Sequence, residues 1–173
     1  MKYMNSLTIR LLGKGLLITL LLLLQAANGA SAQTADAVLV IKSERRLYLM
    51  NKGERFASFR ITLGAEPTGH KQAQGDERTP EGHYKLGYKN LNSKFYKSIH
   101  ISYPNAKDRA NARRLGVDPG GDIMIHGQTN GWGWASPLVQ LFLWTDGCIA
   151  LSNRDMDRVW AAVDPGTPIE VRP

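Results

Sequence analysis

Short runs of apolar residues, alternating with polar ones in several places, occupy most of the chain after residue 33. Val, Ile, Leu and aromatic side chains dominate these runs, and turn-forming residues separate them, which is typical of β-strands. The predicted strands are residues 37–41, 46–50, 56–63, 83–88, 98–103, 122–126 and 167–171. The first three, with a turn at Asn51–Glu54, predict a β-meander.

Two segments have helical spacing instead. Residues 105–115 precede Gly116, a residue that ends helices readily. A second helix begins at an N-cap that is either Ser152 or Asn153 and stops at the Pro and Gly that follow Asp164. Its apolar face consists of Met156, Val159, Trp160 and Val163. We expect this face to pack on the core.

The overall pattern predicts a mainly β fold with minor α, in a single domain that covers residues 33–173. Residues 64–82 are rich in Gly, Pro and charge and predict a long loop. Loops of this length in compact domains are usually functional. Residues 138–144 fit a helix and a strand equally well.

The first 32 residues differ from the rest of the chain. They contain the basic residues Lys2, Arg10 and Lys14, no acid, and a short apolar run that ends before Ala30-Ser31-Ala32. This order of features is typical of a cleaved signal peptide. An uncleaved membrane anchor is the alternative, but the apolar run is shorter than the roughly 20 residues that span a bilayer. The pattern therefore predicts export, to the periplasm or the cell envelope.

Charge and composition narrow the class of protein. The chain has 22 basic and 15 acidic residues, and three of the basic ones lie in the predicted signal peptide. The remaining excess is too small to favour a nucleic-acid-binding protein. The 43% hydrophobic content is that of an ordinary globular domain.

Cys148 is the single cysteine. An exported domain with one cysteine forms no internal disulfide, so the thiol is either an inert buried hydrophobe or a nucleophile. A thiol nucleophile needs a base, a group that orients the base, and donors for the developing negative charge. No spacing such as His-x-x-x-His indicates a metal site, so we expect neither a metal nor another cofactor.

His126 is the best-placed base among the four histidines, because it ends an apolar predicted strand and precedes Gly127. Gly147, just before Cys148, allows close approach of a ligand and frees nearby amides to hold an oxyanion. The group that orients His126 is either a backbone carbonyl near it or the carboxylate of Asp146.

Several motifs in order resemble the L,D-transpeptidase family, whose catalytic domain is of the YkuD type. They are Ile125-His126-Gly127, Thr145-Asp146-Gly147-Cys148-Ile149, the segment 75–82 (GDERTPEG), Ser102-Tyr103-Pro104-Asn105 and the segment 164–171. The likeness covers residues 37–172. It implies a β-sandwich of mixed sheets, with a short helix after the catalytic cysteine.

The resemblance also implies export, peptidoglycan as the substrate, and roles in wall biosynthesis and cell shape. In this family a cysteine attacks the stem peptide before its terminal D-amino acid, and an amine on a second stem or on a wall protein resolves the thioester. Cys148 would be the nucleophile and His126 the base. The carbonyl of Gly127 would orient the imidazole, and amides near Gly147 and Cys148 would hold the oxyanion.

Two positions depart from the family pattern. Asp146 stands where many members have His, and Ala150 where many have Arg or Asn. A carboxylate beside the thiol raises its pKa. Asp146 and Thr145 are also candidate substrate contacts.

Three further side chains have two interpretations each. Trp132 and Trp134 follow His126 in a Gly-rich loop and either form a lid or stack on sugar, or pack beneath that loop. Arg78 either meets a carboxylate of the stem or makes a structural ion pair. Trp144 and Trp160 are predicted core residues.

Three functions remain open from the sequence. Transfer of the stem to an amine is the leading hypothesis. The same Cys148–His126 site with water as acceptor would make a carboxypeptidase or amidase. The third is a non-catalytic wall-binding module in which Cys148 is an inert core thiol and the basic residues of 105–115 contribute to binding. In none of them do we expect a nucleic-acid partner or a membrane contact after signal cleavage.

Overall fold

The computed structural model describes residues 33–131 and 145–173. Strands form where the apolar runs predict them, and one further short strand forms at Ile149–Ala150, where none was predicted. Their bounds are β1 Ala37–Ile41, β2 Arg46–Asn51, β3 Glu54–Arg60, β4 Gly82–Asn90, β5 Ser98–Ile101, β6 Met124–His126, β7 Ile149–Ala150 and β8 Pro168–Arg172. The two helices are α1 Ala106–Leu115 and α2 Asn153–Ala162.

The strands pair in the order β3-β2-β1-β8-β4-β5-β6-β7. The pairs β1–β8 and β6–β7 are parallel and the others antiparallel, so the sheet is mixed. Beyond β3 the chain reaches the other end of this order, where Thr62 bridges Ala150 and Gly64 bridges Thr145. The sheet therefore curls until its two ends meet. This confirms the predicted fold class of mainly strands with minor helix.

One hydrophobic cluster fills the curl. Leu47 and Val40 from one half of the sheet and Ile99, Ile125 and Ile149 from the other are completely buried in it. On β5 and β6, His100 and Met124 alternate with these core residues and are partly exposed, because successive side chains of a strand point to opposite faces. The second half of the sheet thus has one core face and one outer face.

Both helices end where the sequence predicts. Asn105 caps α1 and forms a capping box with Asp108, and Gly116 closes the helix in the left-handed region at φ 68°. Ser152 rather than Asn153 caps α2. Met156 and Val159 are fully buried, whereas Trp160 is only partly buried at the edge of the core. The four basic residues of α1 (Lys107, Arg109, Arg113 and Arg114) are exposed.

Three predicted strands are shorter than expected, and one of them, predicted over 98–103, ends at Ile101. The strand predicted over 56–63 ends at Arg60, and Thr62 contributes an isolated bridge instead. The strand predicted over 122–126 begins at Met124, because Asp122 has φ 55°, which a strand does not accommodate. The predicted signal peptide, residues 138–144 and Trp132, Trp134 and Trp144 lie outside the described residues. No helix in the described ranges is long and apolar enough to span a bilayer.

Candidate active site

The pairing of β6 with β7 brings the two predicted catalytic residues to one face of the sheet. Ile125 lies opposite Ile149 in a parallel pair, and both are buried in the core. The neighbouring residues on each strand therefore point to the outer face, and one step back along the register Cys148 lies beside Met124. His126 follows two residues after Met124. The topology thus places the imidazole of β6 and the thiol of the residue just before β7 on the same face of the sheet.

The His126 ring is held by its own backbone neighbour. Its Nδ1 lies 2.7 Å from the carbonyl oxygen of Gly127, and a carbonyl only accepts, so Nδ1 carries the proton. Nε2 is then the basic nitrogen of the neutral ring. Phe95 lies against the imidazole with ring centroids 4.6 Å apart. Burial lowers the pKa of His126, and the Gly127 carbonyl only partly opposes this change.

The Cys148 thiol also contacts main-chain groups. The Met124 amide donates to Sγ at 3.4 Å, and Sγ lies 3.6 Å from the carbonyl oxygen of Asp122. Burial raises the pKa of Cys148, the Met124 amide lowers it, and Asp146 raises it further. With the thiol pKa raised and the imidazole pKa lowered, the resting pair at neutral pH is a thiol beside a neutral base.

Gly147 is required by close packing. Its φ is 110°, and a Cβ placed there would clash with the carbonyl oxygen of Arg78. Thr145 fastens the same turn, since its hydroxyl donates to the Cys148 carbonyl at 2.7 Å and accepts a long bond of 3.4 Å from the Gly147 amide. The turn before the nucleophile is thus held by contacts to main-chain groups, two of them made by the Thr145 hydroxyl. The predicted role of Thr145 as a substrate contact stays a prediction.

Arg78 reaches the site through its backbone. Its amide donates to the Asp76 carboxylate at 3.2 Å, and its carbonyl packs against Gly147. Within the described ranges no carboxylate lies at ion-pair distance from its guanidinium. Asp146 is exposed, and it acts on the site through its charge.

The other three histidines lie elsewhere. His70 pairs with Asp108 at 3.2 Å, His83 is exposed 3.9 Å from Glu170, and His100 stacks on Tyr88. In the part of the chain that the structure describes, no group of three or more His, Cys, Asp or Glu residues could hold a metal ion.

Sequence reasoning missed two buried polar residues beside the site. Lys71 is 3% exposed, and its ammonium binds Asp76 at 2.8 Å and lowers the pKa of Cys148. Gln128 is fully buried; its amide nitrogen donates to the Leu151 carbonyl at 2.7 Å, and its backbone amide donates to Asn153 at 2.8 Å. Lys71 lies in a polar stretch where a lysine is normally exposed, so no local signal marks it. Gln128 could have been predicted to lie beside the site from its position directly after His126-Gly127.

Comparisons with known proteins match most of the chain after residue 34. A model of the L,D-transpeptidase catalytic domain, YkuD, matches residues 35–171. The chain is 33% identical over 132 residues to the Escherichia coli protein named Putative L,D-transpeptidase YafK, covering 73% of this chain and 46% of that one.

Solved structures are similar as well. The helical cell shape determining protein Pgp2 from Campylobacter jejuni superposes with a TM-score of 0.60 at 28% identity, over 78% of this chain and 46% of that one. An L,D-transpeptidase from Mycobacterium tuberculosis shares the fold, with a TM-score of 0.51 at 17% identity over 79% of this chain and 57% of that one. The chain spans just under half the length of YafK and of Pgp2.

Proposed function

The chain belongs to the L,D-transpeptidase catalytic-domain family, and from this premise we propose that it is an exported cysteine transpeptidase that acts on tetrapeptide stems of peptidoglycan. The observation that carries the proposal is the arrangement of Cys148 and His126. His126 on β6 and Cys148 just before the neighbouring β7 lie on one face of the sheet, and the Gly127 carbonyl fixes the imidazole tautomer that can accept the proton of the thiol.

Acylation follows from this arrangement. The thiol proton passes to Nε2 of His126 while Sγ forms a bond to the carbonyl carbon before the terminal D-amino acid. Collapse of the tetrahedral intermediate breaks the C–N bond, and the proton on Nε2 leaves with the departing amine. The stem is then held on Cys148 as a thioester. Main-chain amides near Gly147 and Cys148 are the proposed donors to the oxyanion.

Transfer reverses the same proton path. An amine of a second stem, or of a wall-anchored protein, attacks the thioester carbon and gives a proton to His126. The C–S bond breaks, and the sulfur recovers the proton as the thiol. Neutral resting groups suit this exchange, because the imidazole must accept a proton in one step and release it in the next.

The substrate and the cellular context are also part of the proposal. The similarity to Pgp2, a protein that determines helical cell shape, supports a role in wall organisation. The signal peptide predicted at residues 1–32 supports export to the periplasm or envelope.

Product analysis tests the proposal. The domain of residues 33–173 is incubated with a tetrapeptide stem, with and without an amine acceptor, and the products are separated by liquid chromatography and mass spectrometry. We expect release of D-Ala and a stem–acceptor conjugate, both lost in the variants Cys148→Ala and His126→Ala. A free tripeptide in place of the conjugate would favour the hydrolase, and no D-Ala release from the folded wild type would exclude both enzymes.

A further inference from the structure

An aromatic pair lies on the same face of the sheet as Cys148, three strands away. The rings of Tyr88 on β4 and His100 on β5 are stacked with centroids 5.0 Å apart and an interplanar angle of 8°. Tyr88 is 54% exposed, so one residue of the pair is largely open to solvent. Neither side chain has a part in the chemistry described above.

Strand register connects this pair to the nucleophile. His100 lies opposite Met124 in the antiparallel β5–β6 pair, and opposite residues share a face. Met124 in turn lies beside Cys148, to which it donates its amide. A single row on the outer face therefore runs from Cys148 through Met124 and His100 to Tyr88.

A bulge in β4 turns Tyr88 onto this face. Leu86 pairs with Ile101 and Lys89 with Ile99, so Gly87 and Tyr88 together stand opposite His100. Without the extra residue, Tyr88 would alternate to the core face, where Leu86 is buried. Bulges of this kind re-aim a side chain and are over-represented near active sites.

Gly87 makes room for the stack. A Cβ at this position would lie 2.7 Å from Nδ1 of His100, so any other residue would displace the ring from its place beside Tyr88. The bulge and the glycine are thus two separate features of the sequence that produce one exposed aromatic surface in line with Cys148.

The distance along the row matches a stem peptide. Neighbouring strands are about 4.8 Å apart, so Tyr88 lies roughly 14 Å from Cys148 and His100 roughly 10 Å. The three stem residues before the scissile bond span about 10 Å when extended. A donor stem that crosses β6 and β5 would therefore bring the sugar that carries it over the stacked rings.

We propose that Tyr88 and His100 form a subsite for the amino sugar of the glycan strand that bears the donor stem. The proposal rests on the transpeptidase function above and specifies its substrate as a stem attached to sugar rather than a free peptide. The apolar face of a pyranose ring packs on an aromatic surface, and the ring of Tyr88 offers such a surface at the required distance.

Paired substrates test the subsite. The kcat/KM for D-Ala release is measured with a disaccharide tetrapeptide and with the free tetrapeptide, and the ratio of the two is the preference for sugar. We expect wild type to prefer the disaccharide form, and Tyr88→Ala to lower this preference about fivefold. Gly87→Ala should lower it too, through displacement of His100, whereas Tyr88→Phe should retain it because the ring remains.

Tyr48→Ala is the matched control, since Tyr48 is a partly exposed tyrosine on β2, and we expect it to keep the wild-type ratio. Equal turnover of the two substrates by wild type, or an unchanged ratio in Tyr88→Ala, would overturn the subsite while leaving the transpeptidase intact.

Binding to Cys148→Ala separates the two proposals when turnover fails. The disaccharide tetrapeptide is titrated into Cys148→Ala and into the double variant with Tyr88→Ala, with detection by calorimetry. Affinity about fivefold weaker in the double variant supports the subsite even if no D-Ala is released by wild type. Equal affinities would contradict it.

Discussion

The two sides of the active site are held by different physical interactions. On the strand side, Cys148 and His126 are fixed by main-chain groups, namely the Met124 amide and the Gly127 carbonyl. On the loop side, the segment 70–81 is held by polar side-chain contacts with buried members. These are the ion pairs Lys42–Glu81 at 2.7 Å and Lys71–Asp76 at 2.8 Å, and the contact of His70 Nε2 with the Asp108 carboxylate at 3.2 Å.

The difference indicates which substitutions each side tolerates. Main-chain contacts depend on shape, because the backbone must approach closely and a single added Cβ prevents it. Ion pairs with buried members depend on charge, because removal of one partner leaves the other without compensation. We therefore expect shape changes to damage the strand side and charge changes to damage the loop side.

The largest effect is expected from Gly147→Ala. The new Cβ would clash with the Arg78 carbonyl, and φ 110° is unfavourable for any residue with a side chain. Overpacking together with backbone strain should lower the free energy of unfolding by about 2–4 kcal/mol. Urea denaturation of Cys148→Ala with and without the change measures this.

Gly75→Ala is the control for Gly147→Ala. It has φ 79° but nothing within 4 Å of the added Cβ, so it carries the backbone strain without the clash. We expect the free energy of unfolding to fall by about 1 kcal/mol. Equal losses in the two variants would contradict the importance of the Arg78 contact.

On the loop side, Lys71→Met should destabilise the fold through loss of charge. It removes the positive charge from a buried position and leaves Asp76, one-fifth exposed, with only its amide donors. We expect the free energy of unfolding to fall by about 2 kcal/mol. This is less than for a fully buried pair, because Asp76 retains some hydration.

Lys97→Met is the matched control, because Lys97 binds Asp157 at a similar 2.6 Å but with Asp157 47% exposed. The free energy of unfolding of this variant should fall by less than about 1 kcal/mol. A loss as large as that of Lys71→Met would show that burial does not distinguish the two pairs.

The same contrast explains what the sequence could predict. The apolar runs predicted nearly every strand, Gly116 predicted the end of α1, and the cap at Ser152 or Asn153 predicted the start of α2, because these signals are local. Cys148 and His126 could be predicted from the motifs that contain them and from the glycine next to each. The burial of Lys71 had no local signal, since it depends on Asp76 and on how the loop folds against the sheet. The bulge at Gly87 could not be predicted either, because the register depends on how two strands pair.

The acid limit of activity should lie below the ordinary histidine range. Burial lowers the pKa of His126 from 6.5, and the base must be neutral to accept the thiol proton. Activity is therefore present at neutral pH and lost only as pH falls through this lowered pKa. The pH dependence of kcat/KM for D-Ala release measures it. Phe95→Ala exposes the His126 ring to water, so the pH at which kcat/KM falls on the acid side should rise. A wild-type enzyme whose kcat/KM already falls above pH 6.5 would contradict the role of burial.

The smallest effect concerns Asp146, whose exposed carboxylate raises the pKa of Cys148. Asp146→Asn should speed alkylation of the thiol by iodoacetamide at pH 8 by about twofold to threefold, since only the thiolate reacts. Salt should shrink the difference, because the interaction crosses solvent. No change at low salt would mean that the carboxylate does not act on Cys148.

Intact-protein mass spectrometry tests the central claim most directly, that Cys148 forms an acyl-enzyme with His126 as its base. Wild type, Cys148→Ala and His126→Ala are each treated with a carbapenem or a tetrapeptide stem, after circular dichroism has shown that all three are folded. We predict a covalent adduct on wild type, none on Cys148→Ala, and a rate at least about 10²-fold lower on His126→Ala. An unmodified wild type, with a thiol that also resists alkylation in the folded state, would contradict the account and favour the non-catalytic wall-binding module.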